Sequence, residues 1–406
     1  MNKQMCLKSK NIFESLAVLL MCMYTLMIYL VYLDKTMEPI LSAILYLFMG
    51  IAIMSIIIDG KFFLNKFLMW YLGFAFLSLI ALLYSPNEKA SIYEFIVVLG
   101  LAFAMSVVWS DKKKFELFIK CLVIGSVVLT VYMIATGQME VDTETGERLG
   151  DELTGNANTF ASLYMVAACS SVYLIMSQCG WSLLRIIYIT CFVLQEYALA
   201  LSGGRKFFIV PFMVLFIMLL LKQDKNNRRH VVFCSVLIIF GVVGLCYMLM
   251  NFPILYETVG YRFESLFDYI IGESSTSDAS TLEREKMRAM ALELWEESPV
   301  WGHGTSAFSK LAPWGVYSHC NYTELLCNYG IIGLLYYYGL WTYSLFRLFK
   351  VKSNHIMRHF LIAIMISFIL FDYGAVSFSM PVTLYFVLMA SLVGEKTDRY
   401  LEEGNT

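Results

Sequence analysis

Apolar runs of about 20 residues recur along almost the whole chain, and they constrain its fold more than any other feature. A run of this length crosses the hydrocarbon core of a bilayer when it is helical, so each run is a candidate membrane span. The runs lie at 12–33, 38–58, 62–84, 91–109, 115–136, 156–178, 182–201, 206–221, 231–250, 321–346, 357–374 and 377–394. This pattern predicts an all-α, polytopic membrane protein with about 12 transmembrane helices and one integral membrane domain, residues 1–406.

Composition excludes the other common classes of protein. Charged residues make up 15% of the chain, against roughly 25% in a soluble domain, so the polar surface is too small to solvate a globule. The net charge of −2 provides no basic field for nucleic acid. The ten cysteines form no CxxC pair and lie mostly in apolar runs, which argues against a zinc site or a disulfide framework. The sequence also contains no nucleotide-binding motif. We therefore expect neither a bound metal ion nor a cofactor.

The distribution of lysine and arginine predicts the orientation. With a cytoplasmic N-terminus, 20 of the 30 basic residues fall in cytoplasmic segments, as the positive-inside rule requires. The short segments on the opposite side hold only five, namely Lys35, Lys89, Arg148, Arg205 and Lys206. We therefore expect both termini in the cytoplasm and a multi-pass location in the cytoplasmic (inner) membrane.

Two loops on the predicted outer side differ in character. A short acidic loop at 137–155 follows the fifth span, and we interpret it as a solvated cap. A long loop at 251–320 separates the ninth and tenth spans. Loops longer than about 15 residues are usually functional or disordered, so the 251–320 loop is the predicted catalytic loop, and we expect short helices within it.

One of these short helices is predicted over residues 281–297, between a capping-box signal and a Ser-Pro stop. At about 100° per residue, one face of it carries Arg284, Arg288, Ala291 and Trp295, and the glutamates lie opposite. An arginine guanidinium group can donate hydrogen bonds to two phosphate oxygens at once, so Arg284 and Arg288 are candidate ligands for an anion. A surface helix laced with salt bridges is the alternative interpretation.

A second pair of cations, Arg205 and Lys206, follows Ser202-Gly203-Gly204 between two spans. These residues lie on the side where positive charge is disfavoured, and an ionisable residue at the membrane boundary is a functional-site candidate. The alternative is a side chain that snorkels from a helix end to the interface.

Polar residues at the outer ends of two spans complete the set of candidates. His319 precedes the tenth span and has a side chain that takes up a proton near neutral pH, although a lone histidine is more often structural. The candidate substrate contacts beside these spans are Asn156, Asn158, Asn321 and Tyr322, and the asparagines fit helix caps equally well. A membrane protein with these groups and no nucleotide motif needs a donor that arrives activated within the membrane. A lipid-linked diphosphate meets that requirement.

The segments SPVWGHGTSAF and SHCNYTELLCNYGIIGLLYY resemble the C-terminal signature of the O-antigen ligase/polymerase superfamily, which includes Wzy-type polysaccharide polymerases. The matching positions are a Pro-x-x-Gly-x-Gly pattern and a histidine upstream of GxxG, here Pro299, Gly302, Gly304, His319, Gly330 and Gly333. Arg205 matches the family's Ser-Arg element, Arg284 matches its loop arginine, and the run at 155–158 is similar to a segment before the sixth span. Cys320 and the inserted Gly203-Gly204 depart from the pattern and leave ligase or polymerase open.

The resemblance implies a bacterial, metal-independent, inverting glycosyltransferase that polymerises oligosaccharide repeat units for O-antigen, capsule or exopolysaccharide. The implied partners are a polyprenyl-diphosphate-linked oligosaccharide donor and acceptor, the lipid bilayer, a flippase and a chain-length regulator. Arg205 and Arg284 are expected to clamp the diphosphate with help from Arg288 and Lys206, and His319 to activate or orient the acceptor hydroxyl. The alternatives are a ligase that transfers glycan to lipid A core or protein, and a multi-span transporter.

Overall fold

A computed structural model describes residues 2–32, 34–59, 64–139, 148–154, 156–178, 180–222, 244, 247–248, 250–271, 279–351 and 355–395. The regular structure in these ranges is helical, without a strand. The predicted span at 231–250, the acidic residues at 140–147, Gly155 and residues 272–278 of the long loop lie wholly or largely outside the described residues.

The first nine helices run from the N-terminus to residue 221. They are α1 (Asn2–Leu30), α2 (Glu38–Asp59), α3 (Lys66–Leu82), α4 (Tyr93–Val108), α5 (Lys112–Ala135), the one-turn α6 (Asp151–Thr154), α7 (Ala157–Ser177), α8 (Leu183–Leu201) and α9 (Arg205–Leu221).

The second half contains the long loop and the last three long helices. The loop carries α10 (Pro253–Leu255), a π-helical turn (Tyr256–Gly260), α11 (Tyr261–Ile271), α12 (Ala279–Glu297) and α13 (Phe308–Leu311), and is followed by α14 (Asn321–Lys350), α15 (Ile356–Phe371) and α16 (Pro381–Glu395). Short helices in the loop were expected, and α12 agrees with the helix predicted over 281–297.

Length and composition are consistent with a membrane protein. Five described helices are long and apolar enough to cross a bilayer, at Ile12–Leu30, Glu38–Ile58, Lys112–Ala135, Ala157–Ser177 and Leu183–Leu201. Four shorter apolar helices are Lys66–Leu82, Tyr93–Val108, Ile356–Phe371 and Pro381–Glu395. The all-helical class is confirmed, while the count of twelve spans and their orientation stay predictions.

Helix α7 lies at the centre of the array and packs against α5, α8 and α9. Small side chains along it, such as Ala167 and Ala168, allow neighbouring backbones to approach closely. Polar side chains add a link across three helices: Ser171 on α7 donates to Gln195 on α8 at 2.7 Å, and Gln195 donates to Ser126 on α5 at 2.8 Å. These contacts fix α8, whose C-terminal end leads into the candidate site.

The last two predicted spans form separate helices, α15 and α16, joined by residues 372–380. This connection folds against the start of α14. The Asn321 amide N–H donates to the Asp372 carbonyl at 2.8 Å, and the Asn321 side-chain oxygen accepts from the Ser377 and Phe378 amides at 2.9 and 3.1 Å. The end of α15 and the starts of α14 and α16 therefore meet at one end of the array, which we call the site end.

Helix α14 is interrupted at Gly330, where φ is 64° and ψ is −165°. The interruption frees backbone groups that pair with the end of the long loop. The amides of His303 and Gly304 donate to the carbonyls of Cys327 and Asn328 at 2.8 and 2.9 Å, and the amide of Ile331 donates to the Pro299 carbonyl at 2.9 Å. The first glycine of the GxxG segment thus lies where the broken helix joins the Pro-x-x-Gly-x-Gly segment.

We expect Gly330→Ala to destabilise the protein strongly. The backbone at this position lies in a region that only glycine normally occupies, at a cost of about 1–3 kcal/mol for other residues. A Cβ atom would also lie 2.2 Å from the Val300 carbonyl oxygen. Gly339→Ala on the same helix is the matched control, because its Cβ would meet nothing within 4 Å. Thermal unfolding of detergent-solubilised protein checks the prediction, and equal stability of the two variants contradicts it.

Candidate functional site

The turn between α8 and α9 places two predicted site residues at the site end. Gly203 has a φ of 65° and lets the chain reverse, and a Cβ there would lie 3.2 Å from the Thr258 carbonyl oxygen. Arg205 then opens α9. Its guanidinium donates to the Arg262 carbonyl at 2.5 Å and to the Thr281 hydroxyl at 2.8 Å, so it connects the turn to both α11 and α12. Lys206 donates to the Gly374 carbonyl in the 372–380 connection.

Two further arginines, which the sequence interpretation missed, bind the same turn. Arg148 donates to the Ser202 carbonyl at 2.7 Å, and Arg262 donates to the Gly203 carbonyl at 3.2 Å. Cations at a helix C-terminus stabilise the partial negative charge of its carbonyls. Burial, together with the charges of Arg262 and Arg284 and against the opposing effect of Asp151, lowers the pKa of Arg148 to about 10. Arg148 thus stays charged at neutral pH.

Helix α12 carries Arg284 and Arg288 beside this turn. Its buried residues Met287 and Ala291 pack against Phe308 and Cys327, which anchors the helix on α14. The glutamates at 293, 296 and 297 are exposed. Arg284, Arg288 and Glu285 are all partly exposed, so the predicted separation of arginines and acids on opposite faces of the helix stays a prediction.

Six basic side chains converge at the site end. We call them the cationic cluster: Arg148, Arg205, Lys206, Arg262, Arg284 and Arg288. The charge of Arg284 acts on both Arg148 and Lys206, and the Arg288 guanidinium lies 4.8 Å from the centre of the Tyr373 ring. Like charges that lie close together repel each other, and a bound anion is expected to offset this repulsion.

His319 lies next to this cluster in a sparsely populated backbone conformation, with a φ of 58°. The first turn of α14 holds it there. The Ser318 amide donates to the Glu324 carboxylate at 2.7 Å, and the Ser318 and Thr323 hydroxyls are 3.1 Å apart. Cys320 is the N-cap residue of α14 and Asn321 is its first residue, so Asn321 does not cap this helix. Strained backbone of this kind is concentrated at functional sites.

The surroundings keep the His319 imidazole neutral. Burial lowers its pKa to about 4, and the charges of Arg284, Lys206 and Arg288 contribute in that order. The interactions with these three cations place His319 beside Arg284 and Lys206, the predicted grouping. A neutral imidazole has a lone pair that accepts a proton, which a base requires.

These surroundings predict the dependence of activity on pH. Because the pKa is lowered to about 4, His319 is in its basic form above that value, and kcat/KM is expected to fall only as the pH drops through about 4. A bound diphosphate adds negative charge and raises the pKa, so kcat is expected to fall at a higher pH than kcat/KM. Initial rates from pH 3.5 to 8 check this. A loss of kcat/KM near pH 6.5, the ordinary value for histidine, contradicts it.

Asn321 and Asp372 form a buried network behind His319. The Asn321 amide nitrogen lies 2.9 Å from the Tyr338 hydroxyl and 3.3 Å from the Asp372 carboxylate, which also accepts from Tyr338 at 2.6 Å and from Ser377 at 2.5 Å. The side-chain amide of Asn321 is thus engaged by the protein itself. We expect Asn321 to position the His319 loop, while direct contact with substrate stays a prediction.

The other predicted contact residues also serve the fold. The Tyr322 hydroxyl donates to the Ile369 carbonyl at 2.6 Å, and its ring stacks on Tyr338. Asn156 caps α7 by accepting a hydrogen bond from the Asn158 amide at 2.8 Å, which agrees with the interpretation of Asn156 as a helix cap. Roles of Tyr322, Asn156 and Asn158 toward substrate stay predictions.

The arrangement can be compared with known families. Residues 189–338 match the model of a family described as O-antigen ligase. No curated protein matches the chain. The matched segment contains Arg205, Arg284 and His319, whereas Arg148 and Asp372 lie outside it. The match covers 150 of the 406 residues and confirms the predicted resemblance to the O-antigen ligase/polymerase superfamily.

Proposed function

We propose that the protein is a membrane-embedded glycosyltransferase that polymerises oligosaccharide repeat units from a polyprenyl-diphosphate donor. The reaction takes place at the outer face of the cytoplasmic membrane and yields a surface polysaccharide. The observation that carries this proposal is the cationic cluster beside a neutral His319. His319 and all members of the cluster except Arg148 lie in the segment that matches the O-antigen ligase family.

The chemistry of the donor explains why such a cluster is needed. When the bond between the anomeric carbon and the diphosphate oxygen breaks, its electron pair stays on the diphosphate as negative charge. Hydrogen-bond donors that already face the site of developing negative charge lower the activation barrier, and their effect is largest where water is excluded. Arg205 and Arg284 are well suited, because guanidinium groups bind phosphate oxygens in pairs.

The acceptor side requires a base. The acceptor hydroxyl oxygen attacks the anomeric carbon, and its proton passes to a ring nitrogen of His319. Attack opposite the leaving group inverts the anomeric configuration in one displacement. The proton is later released to solvent or to the free diphosphate, so the residues return to their starting state. No metal ion has a role in this scheme, since the cations that stabilise the leaving group come from the chain.

The family description favours a second candidate, a ligase that transfers finished glycan to lipid A core or protein. Both enzymes use the same donor and the same leaving group, so the cluster serves either one. They differ in the acceptor and therefore in the product.

Deleting the gene and separating cell-surface polysaccharide on a gel distinguishes the candidates. Products with a single repeat unit support the polymerase, and long chains without their final acceptor support the ligase. A pattern identical to that of the parent strain contradicts both. Complementation with Arg205→Ala is expected to fail, although the variant reaches wild-type levels in the membrane.

A further inference from the structure

A cavity of about 900 Å³ adjoins the candidate site, and its lining includes Tyr317, two residues before His319. Its walls come from the loop before α4, the first turn of α7, the 305–317 segment and the 372–380 connection. Tyr317 joins the cavity to the reaction site, because its ring lines the cavity and lies 4.5 Å from the His319 ring, centre to centre. A group held in the cavity can therefore reach the candidate base.

The lining has the chemistry of a carbohydrate site. Hydroxyl groups that donate and accept hydrogen bonds alternate with aromatic rings, among them Ser91, Thr159, Ser306, Tyr93, Tyr317 and Phe378. Sugar hydroxyls form hydrogen bonds with such hydroxyl groups, and the C–H faces of sugar rings pack on aromatic rings. A volume of 900 Å³ is near the upper end for small-molecule sites, so there is room for more than one sugar.

The charged residues that line this cavity differ from those of the cationic cluster. Its lining includes Lys89 together with two carboxylates, Glu94 and Glu324. Such a surface gives a diphosphate no net attraction and suits an uncharged glycan. No residue of the cationic cluster lines this cavity, so the two regions offer different chemistry to a ligand.

The wall beside α13 is formed before any ligand binds. Asn87 donates to the Ser306 carbonyl at 3.1 Å and to the Ser309 hydroxyl at 3.0 Å, and Ser85 donates to the Thr305 carbonyl at 2.7 Å. A preformed wall lowers the entropic cost of ordering a site when a ligand binds.

We propose that this cavity binds the terminal sugars of the acceptor oligosaccharide and presents one of their hydroxyl groups to His319. This proposal rests on the glycosyltransferase function proposed above and adds the location and the uncharged character of the acceptor. The specificity for the acceptor glycan is then set by residues before α4, on α7 and in the 305–317 segment, rather than by the arginines.

The test uses the full-length protein in detergent and a probe without phosphate. The probe is the oligosaccharide released by mild acid from the lipid-linked repeat units of the host. Thr159→Trp fills the cavity, and Thr190→Trp, at an exposed position of α8, is the matched control. Saturation-transfer NMR measures binding of the probe, and a parallel assay measures binding of the lipid-linked donor.

We expect Thr159→Trp to weaken binding of the probe by about tenfold or more, while donor binding is unchanged. The control and Arg284→Ala are expected to bind the probe like the wild type. The proposal is overturned if Thr159→Trp binds the probe normally, or if the wild type binds the donor but not the probe. Failure of the wild type to bind the donor contradicts the proposed function itself.

Discussion

We expect Arg284→Ala to lower the rate of the proposed glycan transfer roughly 100- to 1,000-fold, the usual effect of removing one group that stabilises developing charge. Arg284 is the most central member of the cationic cluster, since its charge acts on Arg148, Lys206 and His319. Its loss therefore removes charge from the leaving-group position without a change in the core. The rate of polymer formation in membranes from a deletion strain measures the effect.

Two variants separate charge from geometry at this position. Arg284→Lys keeps the charge but loses the planar fork, and it is expected to restore only part of the rate. Lys286→Ala removes a charge from an exposed position on the same helix and is expected to have wild-type activity. If Arg284→Ala and Lys286→Ala are equally active, Arg284 has no part in the mechanism.

His319→Asn is expected to lower the rate about 100- to 10,000-fold, the range for loss of a general base. Asparagine is the informative replacement because it tolerates a positive φ better than most residues, and His319 has a φ of 58°. The backbone can thus keep its conformation while the base is lost. His319→Ala changes both the base and the backbone preference and is less easily interpreted.

Binding and rate together identify the role of His319. A base acts only in the transition state, so His319→Asn is expected to bind the lipid-linked donor with wild-type affinity. Thermal unfolding provides a check on folding. Retention of most of the transfer activity by a correctly folded His319→Asn variant excludes His319 as the base.

Arg205, Arg284 and His319 could be found from the sequence because each lies in a local pattern: a small-residue turn, an amphipathic helix and the start of an apolar run. Arg148 and Arg262 could not, because their partners are carbonyls of a turn 54 and 59 residues away. Only the folded chain brings these residues together. Arg148 also follows an acidic stretch, which suggested a solvated loop.

The 372–380 connection was missed for a related reason. Asp372 ends an apolar run that hydropathy treats as membrane, and its partners Asn321 and Tyr338 lie 51 and 34 residues away in the sequence. The interruption of α14 was also hidden, because GxxG spacing fits a continuous packed helix as well as a broken one. The helical class depends on apolar run length and was predictable, whereas the neighbours of each site residue depend on tertiary contacts.

The central claim is that the cationic cluster holds the diphosphate of the donor, and its most direct test compares two lipids. Polyprenyl diphosphate and polyprenyl monophosphate, both without glycan, are titrated into wild-type protein and into Arg205→Ala and Arg284→Ala in nanodiscs. The wild type is expected to prefer the diphosphate by about tenfold or more, as one further charge-assisted hydrogen bond provides, and each variant to lose most of that preference. Equal affinity of the wild type for both lipids, with transfer activity intact, would contradict the account.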